Sequence, residues 1–389
     1  MKCKKYLLGD VCNFIDYRGK TPPKTTLGIP LVTAKIIKNG VIQEPQEFID
    51  ESFYEEWMRR GIPKKGDVIF TTEAPLGEVA KIRTDEKLAF AQRVIILEPN
   101  EEVLDSDYLF YAMQDRVLKG RIEARSSGTT VIGIKAKELK QVEIDLPSIE
   151  IQKKIGKVLS AMDDKIAVNN DINKNLEKQA QALYNELFAD SSFDATLADL
   201  GTIVGGSTPS KKHPEYYTDQ GIAWITPKDL SNNSSKFIYH GEIDITELGL
   251  SKCSASVMPS GTVLFSSRAP IGYIAVAANP TATNQGFKSV IPNDKIGTAF
   301  VYYFLKNNLT MIESMASGST FKEVSASAMK AIPAFKPESD KLCQFQNFCE
   351  PLFYHQQMLE SENTRLAQLR DTLLPRLMSD EVDVSKIVI

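Results

Sequence analysis

Apolar residues fall into short continuous runs over residues 1–147 and again over 194–336. VIFTT at 68–72, RVIIL at 93–97 and TVLFSS at 262–267 are bounded by turn signals such as TPP, KKGD, PSG and PN. Runs of that length, rich in β-branched residues, predict strands, and the turns between them predict compact α+β domains. The pattern changes between 151 and 188. Ile151, Ile155, Val158, Met162, Ile172, Leu176 and Leu183 recur at the alternating three-and-four spacing of a coiled-coil seam. A second seam is cleaner, with Phe345, Leu352, Leu359, Leu366 and Leu373 seven apart. Neither stretch holds a glycine after Gly156, and the second is predicted to end near Pro375. About 35 residues at this spacing predict a rod of roughly 50 Å at about 1.5 Å per residue. Lys165, Asn169 and Gln179 interrupt the first seam, where buried polar groups would fix register at some cost in stability.

The two halves are copies of one another. LGDV at 8–11 corresponds to LADL at 197–200, GDVIFTTEAPLGEVA at 66–80 to GTVLFSSRAPIGYIA at 261–275, and SSGTT at 126–130 to ASGST at 316–320. The order is kept while the offset drifts from 189 to 195 and back to 190, as loop insertions in one copy would produce. The expected fold is therefore α+β, with two homologous globular domains separated by two long antiparallel coiled-coil helices in a pseudo-two-fold internal duplication. The expected divisions are 1–147, 148–190, 191–337 and 338–389.

Composition narrows the class. The chain has 389 residues, 42% hydrophobic and 25% charged, which is ordinary for a soluble globular protein. No apolar run approaches the roughly 20 residues of a membrane span, so no membrane association and a cytoplasmic location are expected. The five cysteines (Cys3, Cys12, Cys253, Cys343, Cys349) form no CxxC pair, so no metal site or disulfide framework is expected. A formal charge of −4 runs against a freestanding nucleic-acid binder. By segment, however, 1–147 holds 23 basic and 23 acidic residues, 194–336 holds 12 and 11, and 337–389 holds 5 and 9. The acidic excess lies at the end. Arg116, Lys119, Arg121, Arg125, Lys135, Lys137 and Lys140 against Asp115, Glu123 and Glu138 give a local net of +4, either a DNA-facing stripe or a solvated helix face.

Two globular domains alternating with two long helices in a duplicated chain is the layout of type I restriction-modification specificity subunits, and the chain resembles that family in its local motifs too. GGSTPSKKHPEYY at 205–217 followed by GIAWITPKDL at 221–230 resembles the opening of a target recognition domain, with a looser version in RGKTPPKT at 18–25 and GIPLVTAKII at 28–37. SSGTTVIGIKAKELKQVEIDLPSIEIQKKIGKVL at 126–159 resembles the passage into the central helix, and LRDTLLPRLMSDEVDV at 369–384 the family's carboxy-terminal end. KAIPAFKPESDKLCQFQ at 330–346 follows the family's apolar-proline-proline-x-x-Gln pattern only loosely. The resemblance implies target recognition domains at 1–147 and 191–337, a central helical spacer and a C-terminal one. It implies that the chain reads the two halves of a bipartite asymmetric target in double-stranded DNA. Modification (methyltransferase) subunits would dock on the helices and carry adenine methylation with S-adenosylmethionine, so that no cofactor binds this chain. Restriction (motor and nuclease) subunits would join for cleavage, and the spacer would act as a ruler between half-sites.

The residues agree with a non-catalytic role. The three histidines (His213, His240, His355) are scattered, and the GKT at 19–21 lacks the upstream glycine of a phosphate-binding loop, where Phe14 stands. Glu138 and Lys140 form an ExK pair without an upstream Pro-Asp partner, and no Asn-Pro-Pro-aromatic or GxGxxG motif is present. Bases are told apart by Arg on guanine and Asn or Gln on adenine, with Ser, Thr and Lys setting position on phosphates. The polar loops that the repeat places equivalently supply the DNA-binding candidates. In the first copy these are Arg18, Lys20, Thr21, Lys24, Lys35, Arg93, Ser126, Ser127, Thr129 and Thr130. In the second they are Ser207, Thr208, Ser210, Lys211, Lys212, Lys228, Arg268, Gln285, Ser319, Thr320 and Lys322. Thr-Pro and Ser-Gly-Thr are also ordinary turn and capping chemistry. A non-DNA scaffold, in which a coiled coil spaces two ligand-binding domains, is the alternative from a different class.

Overall fold

In the computed structural model, residues 3–17, 19, 21–233, 235–318 and 322–384 are described. The chain forms two compact units, Met1–Ile166 with Arg365–Ile389, and Ala167–Thr364. Each unit combines one globular part with part of each of the two long helices, Ile149–Phe188 and Ser339–Met378, both 40 residues long.

In the first unit an antiparallel sheet runs in the order Cys12–Asp16, Val94–Pro99, Val68–Thr72, Leu76–Lys81. Its central strands are apolar without alternation because both faces are covered. Val68, Phe70, Ile95 and Leu97 enter one core, whereas Ile69, Ala80, Val94 and Ile96 enter the other. Ile29–Val32 runs parallel to Ala89–Phe90 beside the second core. The strand Lys4–Leu7 pairs antiparallel with Glu143–Leu146 and closes the globular part on itself.

The long helix is fastened here by a buried amide. Gln152, 1% exposed, accepts from the Asp105 N–H at 3.0 Å and donates to the carbonyls of Val103 at 3.0 Å and Pro147 at 2.9 Å. Gly156 lies one turn on, where a Cβ would meet Asp107 Cβ at 2.7 Å, so the helix Ser106–Ala112 approaches at backbone distance. Ile155 and Leu159 join Leu374 and Leu377 in the first core, while Asp163 accepts from Tyr111 and from Arg370. These pairings run the two helices antiparallel within the unit.

The second unit repeats the plan with the order Gly201–Gly205, Lys288–Pro292, Val263–Ser267, Ile271–Ala277, Phe237–Ile238, and a parallel pair of Ala223–Ile225 with Thr281–Thr283. Val263, Phe265 and Val290 face one core and Leu264, Ala275 and Phe287 the other. Gln346 is the counterpart of Gln152, donating to the carbonyls of Lys295 and Ile296, both at 3.0 Å. Pro147 and Pro337 are 190 residues apart while the two glutamines are 194 apart. The second copy thus inserts four residues, about one helical turn, before its clasp, which accounts for the loose motif at 330–346. The helices are antiparallel here as well, with Gln356 donating to the Asn173 carbonyl at 3.2 Å and Asn169 to Glu362 at 2.8 Å.

Three expectations need correction. Lys165 and Gln179 are exposed, and only Asn169, with 0% exposure, interrupts the seam. The second helix also runs through Pro351 and past Pro375 to Met378, because burial of Leu374 and Leu377 outweighs a missing backbone hydrogen bond.

A charged cluster anchors the second globular part to its helix halves. Lys236, 7% exposed, pairs with Glu177, donates to Gln356 at 2.7 Å and lies 4.2 Å from the Phe353 ring centroid. Tyr303 donates to Glu177 at 2.8 Å, and Glu360 accepts the backbone N–H groups of Lys236 and Phe237. Burial works to raise the Glu177 pKa, but Lys236 and Lys306 outweigh it and pull it down to about 2.

Two outcomes follow. Gln152→Met orphans three backbone groups and should lower the stability of the first unit by about 3 kcal/mol, read from urea unfolding by Trp57 emission in a Trp224→Phe background. Glu177→Gln leaves Lys236 buried without its counter-charge and should cost about 3 kcal/mol at pH 7. A depressed carboxylate pKa stabilises above its unfolded value and loses that contribution as pH falls toward about 2. The gap between wild type and variant should therefore close between about pH 4.5 and 2, read by Trp224 emission in a Trp57→Phe background.

Candidate nucleic-acid interface

The same backbone frame builds a cleft in each copy. In the first, the Thr72 N–H donates to Arg93 O at 2.8 Å, the Ile134 N–H to Thr72 O at 3.0 Å, and Ser127 and Gly133 exchange bonds of 2.8 and 3.0 Å. In the second, the Ser267 N–H donates to Gly286 O at 2.8 Å, the Val324 N–H to Ser267 O at 3.0 Å, and Ser317 and Glu323 exchange bonds of 3.0 and 2.9 Å. The residues leaving the two strands, Glu73 and Arg268, each precede a cis Ala–Pro bond.

The second unit's cleft has a volume of about 1070 Å³, and its lining includes Thr208, Lys211, Trp224, Lys228, Arg268, Asn284 and Gln285. Its wall is the GGSTP loop. A Cβ on Gly206 would lie 2.2 Å from the carbonyls of Thr283 and Asn284, so only glycine lets the loop lie against that strand. Trp224 Nε1 donates to Ser207 O at 3.0 Å and the Tyr217 hydroxyl to Pro209 O at 2.6 Å, pinning the loop from beneath. Thr208 donates to Gln285 across the cleft. Thr226 and Asp229 form a capping box with Pro227 at the first position, which fixes the helix Pro227–Asn232 and places Lys228 on its first turn. Glu242 accepts from Lys228 at 2.6 Å, and that hydrogen bond, with the charge behind it, raises the Lys228 pKa. Arg268 is held by Glu323 at 3.5 Å.

The first unit's cleft is smaller, about 310 Å³, and its lining includes Glu73, Gln92, Arg93, Ser127, Val131 and Lys135. Gln92 donates to Thr21 as the Thr208–Gln285 pair does in the other copy, with donor and acceptor exchanged. The charges are rearranged. Glu73 stands where the second copy has Arg268, and it is answered by Arg93 at 3.1 Å.

A family model described as "Type I restriction modification DNA specificity domain" matches residues 2–178 and again 194–341. The chain belongs to this family. The MjaIX specificity subunit of Methanocaldococcus jannaschii is 41% identical over 169 residues, 43% of this chain and 38% of that subunit. The HindI specificity subunit of Haemophilus influenzae is 24% identical over an alignment that covers 82% of this chain and 87% of that one. The crystal structure of a type I restriction-modification S subunit from M. genitalium shares the fold, with a TM-score of 0.58 at 18% identity over 97% of this chain and 96% of that one.

Among the positions expected to face DNA in this specificity chain, Arg93, Ser127, Thr208, Lys211, Lys228, Arg268 and Gln285 line the clefts, and Thr21 is bonded to the lining residue Gln92. Others lie elsewhere. Lys24 pairs with Glu47 at 2.7 Å, Ser126 turns back to Glu123 O at 2.6 Å, and Ser207 offers its carbonyl to Trp224. Lys35, Thr129, Thr130, Ser210, Lys212 and Lys322 are exposed outside the linings. Arg18, Lys20, Ser319 and Thr320 lie outside the described residues. Sequence reasoning missed Glu73, Gln92, Val131, Trp224 and Asn284. Matching Gln92 to Gln285 across the repeat was a signal that could have found the first cleft's glutamine.

Gly206→Ala should displace the GGSTP loop and change Trp224 emission while leaving global unfolding nearly unmoved. Gly205→Ala is its control, since a Cβ there meets only Lys288 Cδ, at 3.9 Å. Equal spectra for the two variants would contradict the close-approach argument.

Proposed function

We propose that this specificity chain reads a bipartite asymmetric sequence in double-stranded DNA, each unit's cleft addressing one half-site. The observation that carries the reading is one hydrogen-bonded frame, built twice, with different polar groups on it. A shared frame fixes how each domain meets the duplex, and the changed lining gives each a different base preference. The near balance of charge over residues 1–147 and 194–336 suits a subunit whose grip on phosphates is shared with partners. Modification subunits are proposed to dock on the helices and bring S-adenosylmethionine and adenine methylation, with restriction subunits joining for cleavage. The chain itself is proposed to be non-catalytic, to bind no cofactor and to act in the cytoplasm. Among the described residues no helix is long and apolar enough to cross a membrane.

Methylome sequencing of a host with and without the gene tests this. A bipartite methylated motif should vanish on deletion. Replacing residues 1–147 with the corresponding region of a relative should change one half of that motif, while a change in both halves, or in neither, would refute modular reading. Co-purification with a modification subunit is expected, and its absence would favour a scaffold that does not act on DNA.

A further inference from the structure

We infer that the tip of the loop 126–134 reads thymine in the first half-site, through the side chains of Val131 and Ile132. The inference rests on the proposed DNA reading and assigns it a determinant. Val131 and Ile132 are 48% and 57% exposed, two adjacent β-branched side chains held out of any core. Their loop is fastened at its base by the reciprocal Ser127–Gly133 bonds and the Ile134 N–H bond to Thr72. Gly128 closes the turn at φ +135, with the Val131 carbonyl 2.0 Å from where a Cβ would stand. Gly133 lies against Glu73, so the loop rises directly from the cleft wall, and Val131 contributes to the lining beside Gln92, Arg93 and Lys135.

Two apolar side chains at the mouth of a polar cleft find their best counterpart on a duplex in a methyl group. Base edges in the major groove present donors and acceptors except at the cytosine C5–H and at the thymine C5-methyl, and only the methyl projects a carbon into the groove. A valine and an isoleucine best match that methyl group, while the neighbouring polar residues serve the rest of the half-site. The second copy's loop has the same length, and its equivalent positions are Phe321, outside the described residues, and Lys322, which is exposed. The tips therefore differ in chemistry where the frames agree, as a determinant of two unlike half-sites must.

The test uses the chain complexed with its modification subunit and a duplex carrying the methylated motif. Thymines of the first half-site are replaced singly by deoxyuridine, which removes only the methyl. Binding should weaken about fourfold at one or two positions, the scale of one buried methyl group. The double variant Val131→Ser, Ile132→Ser removes every methyl group from the tip and should bind thymine and deoxyuridine duplexes equally, with selectivity for the second half-site intact as the check on folding. Indifference of the wild-type complex to every such replacement, discrimination retained in the variant, or a first half-site without an A·T pair would overturn the inference. A wild-type complex that does not prefer the motif over a scrambled duplex would instead bring down the DNA reading beneath it.

Discussion

The side-chain amide of Gln152 is buried where the first globular part meets its long helix, and every hydrogen-bonding direction it uses ends on backbone. A buried amide has no water to fall back on, so rotating the helix would strand donors and acceptors on both sides at once. Gly156 adds a steric condition, since the helix can come this close only where it has no side chain. Gln346 makes the corresponding clasp in the second unit. The domain is thereby keyed to one face and one height of its helix.

The clefts separate what must stay constant from what must vary. Backbone hydrogen bonds define the frame, so side chains can change on it without cost to the fold. The Glu73–Arg93 and Arg268–Glu323 pairs show this: both frames carry an ion pair beside the cis Ala–Pro bond, but the charges stand at different positions. Exposed pairs of this kind add little to stability, which leaves those side chains available for recognition.

Much of the architecture was legible because it rests on periodic burial. VIFTT and RVIIL are strands covered on both faces, and the heptad leucines lie on the second long helix. Individual polar residues were less legible because their roles depend on partners distant in sequence. Lys165 looks like an interruption of the seam until the helix turns it to solvent, while Asn169 is drawn inward by Glu362 and Asn363. Proline at 375 reads as a terminator until the burial of Leu377 is known. The cleft residues divide in the same way. Thr208 and Gln285 meet across 77 positions, whereas Lys24 is claimed by Glu47, and neither outcome is written in local spacing.

The first unit is discontinuous in sequence, combining residues 1–166 with 365–389, and its core includes Leu374 and Leu377. A ribosome making this chain therefore releases the opening domain long before the last wall of its core exists. Ile155 and Leu159 emerge with part of their apolar cover more than 200 residues away. The second unit, which lies in one stretch from 167 to 364, has all its residues available first. Completion in the cell thus runs opposite to the order of synthesis, and a stalled or truncated chain would present an uncovered leucine-rich seam to chaperones and proteases.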